Sequence, residues 1–233
     1  MSINAFTEDQ LVEQPAIDMT VLAARGWTLF NLLPSCESDF RDQLLTVATR
    51  LGVPTVTRTG GNLCDTLLPT QSEAAKPNSL SKIHSVGEFP LHTDTAHWPT
   101  PCHYVMLACV SPGCASRPTM LLDTRQLNLN QRQTSLLQTT PLRIVNGRNS
   151  FFSTILSNSR PFVRFDPGCM TANTADGVEA LIVFSRHNWP NYIQQVHWEP
   201  GYVLIIDNWR LLHGRGHATC LDLDRKLLRI SIR

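Results

Sequence analysis

The sequence predicts a mostly antiparallel β fold with a few flanking helices, in a single domain spanning residues 1–233. Three observations carry this. Apolar residues make up 42% and charged residues 17% of 233, an ordinary globular composition with chain enough for one core and too little for two. Short β-branched and aromatic runs recur from His103 to the C-terminus, punctuated by Pro, Gly and Ser. Only one long stretch holds helical spacing.

Taken in order, Val21–Ala24 reads as the end of a short helix closed by Gly26, and Trp27–Phe30 as a strand. Ser38–Leu51 is the best helix, with Phe40, Leu44, Val47 and Leu51 on one face and Gly52 and Pro54 to stop it. Residues 57–88 are rich in Thr, Gly, Asn, Ser and Pro, which predicts a long active-site loop or lid. His103–Val110 and Met120–Leu122 read as strands, and Asn130–Gln138 as a short helix. Further strands are expected at Leu142–Val145, Phe162–Phe165, Ile193–Trp198, Tyr202–Ile206 and Lys226–Ile232. Glu199-Pro200-Gly201 suggests a hairpin between two of them, and Ala180–Ser185 fits helix or strand equally.

The formal net charge of +1 offers no field for nucleic acid or anionic lipid. There is no apolar run of about 18 residues to span a membrane, and Met1–Asp9 lacks the plan of a secretory signal. A cytoplasmic protein acting on a small molecule is expected, with its oligomeric state open. Seven cysteines are scattered without a Cys-x-x-Cys pair, which disfavours structural zinc and predicts free, mostly buried thiols. Two of them, Cys102 and Cys220, lie near the candidate site in sequence.

The chemistry begins with His92 and Asp94 in Phe89-Pro90-Leu91-His92-Thr93-Asp94, read with His213 in Asp207-Asn208-Trp209-Arg210-Leu211-Leu212-His213-Gly214-Arg215. Two imidazoles and a carboxylate hold Fe(II) on one side and leave the other positions open. On a strand, residues two apart share a face, so His92 and Asp94 can grip one metal, with His213 arriving from a distant strand. The plain alternatives are a surface hydrogen-bonded pair for His-x-Asp and a satisfied core histidine for His213. Gly214 behind His213 permits close backbone approach. Arg225 and Arg229 are four apart; buried, they would need a carboxylate, which a dicarboxylate ligand supplies. Alternatively they are exposed, or pair with Asp222 and Asp224.

Together these blocks resemble the taurine dioxygenase and clavaminate synthase-like (TauD/TfdA) group of Fe(II)/2-oxoglutarate dioxygenases, from about Phe89 to the C-terminus. Arg164-Phe165-Asp166-Pro167-Gly168-Cys169-Met170 adds a third similar block. The resemblance implies a double-stranded β-helix (jelly roll, cupin-like) core and His92, Asp94 and His213 as iron ligands. It implies Arg225 on the distal carboxylate of 2-oxoglutarate, Thr119 as a second contact there, and Arg229 supporting cosubstrate or substrate. Ser116-Arg117-Pro118-Thr119 departs from the family's Gly-Gly-x-Thr turn. Arg229, Arg164 and Arg215 are candidates to meet a substrate anion, and His97, Trp98 and Asn62 are pocket candidates.

The implied reaction consumes O2 and 2-oxoglutarate, yields succinate and CO2, and hydroxylates an unactivated C–H bond of a small polar metabolite such as an amino acid or other carboxylate. Asp94, a carboxylate rather than a small residue, disfavours a halogenase. Within the family, desaturation, cyclisation or oxidative cleavage are the alternatives. Outside it, the rivals are a metal-dependent hydrolase and a non-catalytic metal-binding jelly roll.

Overall fold

The computed structural model describes residues 17–75, 80–114, 116–184, 188–220 and 222–233. Met1–Asp9, part of the 57–88 segment and Ser185 therefore lie outside the described residues. The elements in chain order are α1 (Met19–Arg25), β1 (Trp27–Asn31), α2 (Glu37–Thr49), β2 (Pro54–Thr55), β3 (Asp65–Leu67), α3 (Leu80–His84), β4 (Tyr104–Ser111) and β5 (Thr119–Asp123). There follow α4 (Gln131–Thr139), β6 (Leu142–Asn146), β7 (Asn149–Ser153), β8 (Met170–Thr171), α5 (Ala175–Val183), β9 (Ile193–Val196), β10 (Tyr202–Asp207), β11 (Leu211–Arg215) and β12 (Lys226–Ile232).

The main sheet runs β1-β10-β4-β12-β2, with β3 also paired to β12; a second sheet runs β11-β5-β9. Strict alternation builds the layers. In β4, Val105, Leu107 and Cys109 meet Leu121 of β5 and Leu211 of β11 in the core between the sheets. Met106 and Ala108 turn outward to Phe40, Leu44 and Val47 of α2. These are the spacings expected of that helix. The third sheet, β7-β6-β8, is inserted between β5 and β9 and packs with α4 and α5 on a separate apolar cluster that includes Leu122 and Leu212. The mostly β jelly-roll expectation holds.

Local expectations fail where register overrides composition. The 57–88 segment is not all loop: β3 pairs with β12, setting Asp65 opposite Arg229, and α3 follows. Glu199-Pro200-Gly201 makes a turn, Tyr202 N–H donating to Glu199 O at 3.1 Å, but no hairpin. β9 pairs with β5 and β10 with β1 and β4, so the turn carries the chain between sheets. Phe162–Phe165 joins no strand; its backbone bonds to Thr93, Ile155 and Trp209 instead. Residues Ala180–Val183 are helical, in α5, whose start Thr174 caps by accepting from Gly177 N–H. The thiols are not mostly buried: Cys64, Cys102 and Cys109 are, whereas Cys36, Cys114 and Cys220 are exposed. Among the described residues, no helix is long and apolar enough to cross a membrane.

Candidate metal centre

His213 lies in β11 with the parity of Leu211, which faces the space between the sheets. Its backbone pairs reciprocally with His92: His92 N–H donates to His213 O at 2.9 Å and His213 N–H to His92 O at 3.0 Å. Direct pairing of two residues puts their side chains on the same face, and the imidazole centroids stand 4.5 Å apart. Gly214 makes this possible, since a Cβ there would lie 2.8 Å from Phe89 O and 3.0 Å from Pro90 O.

Asp94 completes the cluster from a turn rather than a strand. Asn208, wholly buried, fixes that turn: its Oδ1 accepts from Asp94 N–H at 2.8 Å, and its Nδ2 donates to Asp94 O at 3.1 Å and Cys102 O at 2.8 Å. Thr93 ties the same stretch to Val163 and Phe165. One donor atom from each of His92, Asp94 and His213 lies within 4.8 Å of the others, and all three residues are buried. Among the described residues this is the one such cluster of three.

The donor set suits Fe(II). Pro90 O can only accept, so the 3.0 Å contact to His92 Nδ1 places the proton there and frees the Nε2 lone pair. Burial pushes the His213 imidazole down to about 3, so it is neutral, and its buried Nδ1 has no partner. Burial also opposes charge on His92, but the hydrogen bond and charge of Asp94 outweigh it and raise that imidazole. Burial likewise opposes charge on Asp94, yet Arg229, with the hydrogen bond from His92, holds the carboxylate well below its usual range.

Arg229 is committed to that carboxylate, donating from Nη1 to both oxygens of Asp94 at 3.3 and 3.1 Å and from Nη2 to Asp65 at 3.0 Å. Arg225 lies just before β12, across a register shift at Lys226/Leu227. It is buried, its Nε lacks a partner, and burial foremost lowers it to about 10. Asp222 is also buried and favours the Arg225 charge, but among the described residues no ion pair within 4.0 Å joins the two. Thr119 is buried at the start of β5, opposite Arg215, its Oγ1 accepting from Trp198 Nε1 at 3.1 Å.

The other two arginines are occupied by backbone. Arg164 donates to Ala96 O, to Trp98 O at 2.6 Å and to Pro99 O at 2.7 Å, shaping the stretch after Asp94. Arg215 stacks 3.6 Å from the Phe89 ring and donates to Gly87 O at 2.8 Å and Ser85 O at 2.6 Å. Arg164 also lines an open depression of about 670 Å3 with Pro99, Phe151 and Arg160, which none of the triad residues lines. His97 is partly buried and Asn62 exposed. Asp166, quoted in the sequence only as part of a block, favours the charged forms of His84, His92 and His97.

Residues 118–231 match the family described as taurine catabolism dioxygenase TauD, TfdA family. The match covers just under half of the chain, 114 of its 233 residues. The matched stretch contains His213, Arg225 and Arg229 and begins after His92 and Asp94. Among solved structures, the chain is similar to an asparagine oxygenase in complex with Fe(II), 3-hydroxyasparagine and succinate (18% identity, 89% of this chain, 74% of that one, TM-score 0.71). It is also similar to the non-heme iron oxygenase OrfP in complex with Fe and alpha-ketoglutaric acid (21% identity, 91% and 76%, TM-score 0.67). These likenesses establish the shared fold. No curated protein sequence matches the chain.

Proposed function

We propose that the chain is an Fe(II)- and 2-oxoglutarate-dependent dioxygenase, acting as a single catalytic domain, that hydroxylates a C–H bond of a small amino acid. The observation that carries this reading is the buried His92–Asp94–His213 set, assembled by the reciprocal backbone pairing of its two histidines. His92, Asp94 and His213 would hold the metal, and Arg225 and Thr119 the distal carboxylate of 2-oxoglutarate. When bound, iron and 2-oxoglutarate supply the activation of O2 that turns C–H into C–OH, with succinate and CO2 released.

The chain's own part is positioning. Asn208 and Thr93 keep the Asp94 turn in place, Arg229 keeps its carboxylate ionised, and the buried guanidinium of Arg225 offers a charge-assisted grip on an incoming anion. Asp166, whose charge favours the charged forms of His92 and His97, suits the ammonium of an amino acid. The similarity over most of the chain to oxygenases bound to 3-hydroxyasparagine and to (3S)-hydroxy-L-arginine supports that substrate class. The near-zero net charge supports a small molecule over nucleic acid, and a cytoplasmic location is proposed with it.

The test is a panel of free amino acids incubated with iron-loaded protein, 2-oxoglutarate and O2, read by succinate release and product mass. One amino acid is expected to gain one oxygen atom in step with succinate. Succinate release unaffected by every amino acid, with none modified, would exclude the substrate class. No 2-oxoglutarate consumption at all would exclude the reaction.

A further inference from the structure

Outside the metal centre, one pair of nucleophilic side chains has no place in the proposed reaction. Cys114 and Cys220 are 106 residues apart in sequence, yet their sulfurs lie 3.0 Å from each other. Both residues are exposed, so a soluble oxidant reaches them while Cys64, Cys102 and Cys109 are shielded.

The approach is built into two loops. The Cys114 loop leaves β4 and enters β5; the Cys220 loop leaves β11 and enters β12. These four strands are paired at the loop ends, Ser111 with Lys226 and Thr119 with Arg215. Asp222, wholly buried, then joins the loops: its Oδ1 accepts from Cys114 N–H at 3.1 Å. Gly113, at φ 73°, packs so tightly that a Cβ there would stand 1.8 Å from the same oxygen. Arg117 reaches from beyond Cys114 to within 4.0 Å of Asp222 Oδ2 and donates to Val86 O at 2.6 Å. The sulfurs thus meet on a scaffold held by strand pairing and a buried carboxylate, and a disulfide needs them to close to about 2.0 Å.

We propose that Cys114 and Cys220 form a redox modification site, closing to an intramolecular disulfide on exposure to hydrogen peroxide and reopening with a dithiol. One thiolate attacks a peroxide oxygen; the O–O bond breaks, hydroxide leaves, and a sulfenic acid forms. The second thiolate attacks that sulfur, the S–S bond forms, and a second hydroxide leaves. Two thiols and one peroxide give one disulfide and two waters, the protein losing two electrons and two protons. The bond clamps the loop that ends, five residues past Cys220, in Arg225. That link to the cosubstrate grip rests on the proposed function; the disulfide does not.

The experiment treats the full chain with one equivalent of hydrogen peroxide, blocks remaining thiols by alkylation, and maps peptides by mass. The expected product, weighed before alkylation, is a monomer about 2 Da lighter than the reduced chain, with residues 114 and 220 cross-linked. Cys114→Ser and Cys220→Ser should each abolish the mass loss, and dithiothreitol should restore it. The oxidised chain should also resist proteolysis between residues 216 and 225 at least about tenfold longer, the loop being tied at both ends. Alkylation of both thiols after peroxide, a cross-link to any other cysteine, or sulfinic acid at either position without the bond would overturn the proposal. None of these readouts depends on iron or 2-oxoglutarate, so failure here leaves the proposed activity standing.

Discussion

Arg229 is the counter-ion of Asp94: its Nη1 lies 3.3 and 3.1 Å from the two carboxylate oxygens, while Nη2 is held 3.0 Å from Asp65. A metal ligand with its own cation stays ionised in a dry site before the metal arrives. Arg229→Met would strand a buried carboxylate in the metal-free protein, at a cost of about 3–5 kcal/mol. Bound metal supplies the missing positive charge, so the loss should shrink in the loaded form. Urea unfolding of both proteins with and without Co(II) checks this; an equal loss in both forms would show that Asp94 is not the group affected.

Asn208 makes three hydrogen bonds that set the Asp94 turn. Asn208→Ala removes them and leaves the buried Asp94 N–H without its acceptor, at about 1–3 kcal/mol. Metal affinity should fall roughly 10–100-fold, as expected when a group orienting a ligand is lost. Co(II) titration of the folded variant measures it. Unchanged affinity would mean that the turn is held by Thr93 alone.

Proton release on metal uptake reports the two histidines separately. His213, pushed down to about 3 by burial, releases no proton at higher pH. His92 is raised above 6.5 because Asp94 outweighs its burial. Near pH 6.5, Co(II) uptake should therefore release more than about half a proton, falling towards zero as pH rises through the His92 pKa. The metal-free protein carries the same signs. The His92 contribution to stability is full below pH 6.5 and lost as pH rises through its raised value. The His213 contribution is lost as pH falls from 6.5 towards 3. Release of two protons at pH 6.5, by indicator dye, would contradict the neutral His213, and release of none would contradict the raised His92.

Arg225 is buried with an unpaired Nε. Arg225→Ala should raise the 2-oxoglutarate needed for half-maximal turnover on the order of 30-fold or more, about 2 kcal/mol of charge-assisted binding. Arg225→Lys should recover part of it, since a point charge replaces a planar fork. Cosubstrate titration of turnover decides, and no change in either variant would move the anion grip elsewhere.

Much of this site was legible because its ligands are short motifs of rare chemistry: His92 and Asp94 two apart, His213 before a glycine. Gly214 was readable for the same reason, a residue whose lack of a Cβ matters. What the sequence hid is carried by register. Asp65 meets Arg229 only because β3 pairs with β12, and a three-residue strand within Thr- and Gly-rich chain leaves no periodicity to read. The same limit hid β2, β7 and β8, and it made Glu199-Pro200-Gly201 look like a hairpin when it links two sheets. Phe162–Phe165 has strand composition, but its backbone partners are Thr93, Ile155 and Trp209, which no local pattern reveals. Arg164 and Arg215 looked available for a ligand anion; their guanidinium groups bind main-chain carbonyls instead.

Iron held by this triad and chelated by 2-oxoglutarate would have an optical signature. Fe(II) and then 2-oxoglutarate should be added to the metal-free protein under nitrogen and the visible spectrum recorded, with Asp94→Ala and Arg225→Ala alongside. A weak metal-to-ligand charge-transfer band is expected, absent in Asp94→Ala and needing more 2-oxoglutarate in Arg225→Ala. A folded, iron-loaded protein that shows no band at any 2-oxoglutarate concentration would contradict chelation at this triad.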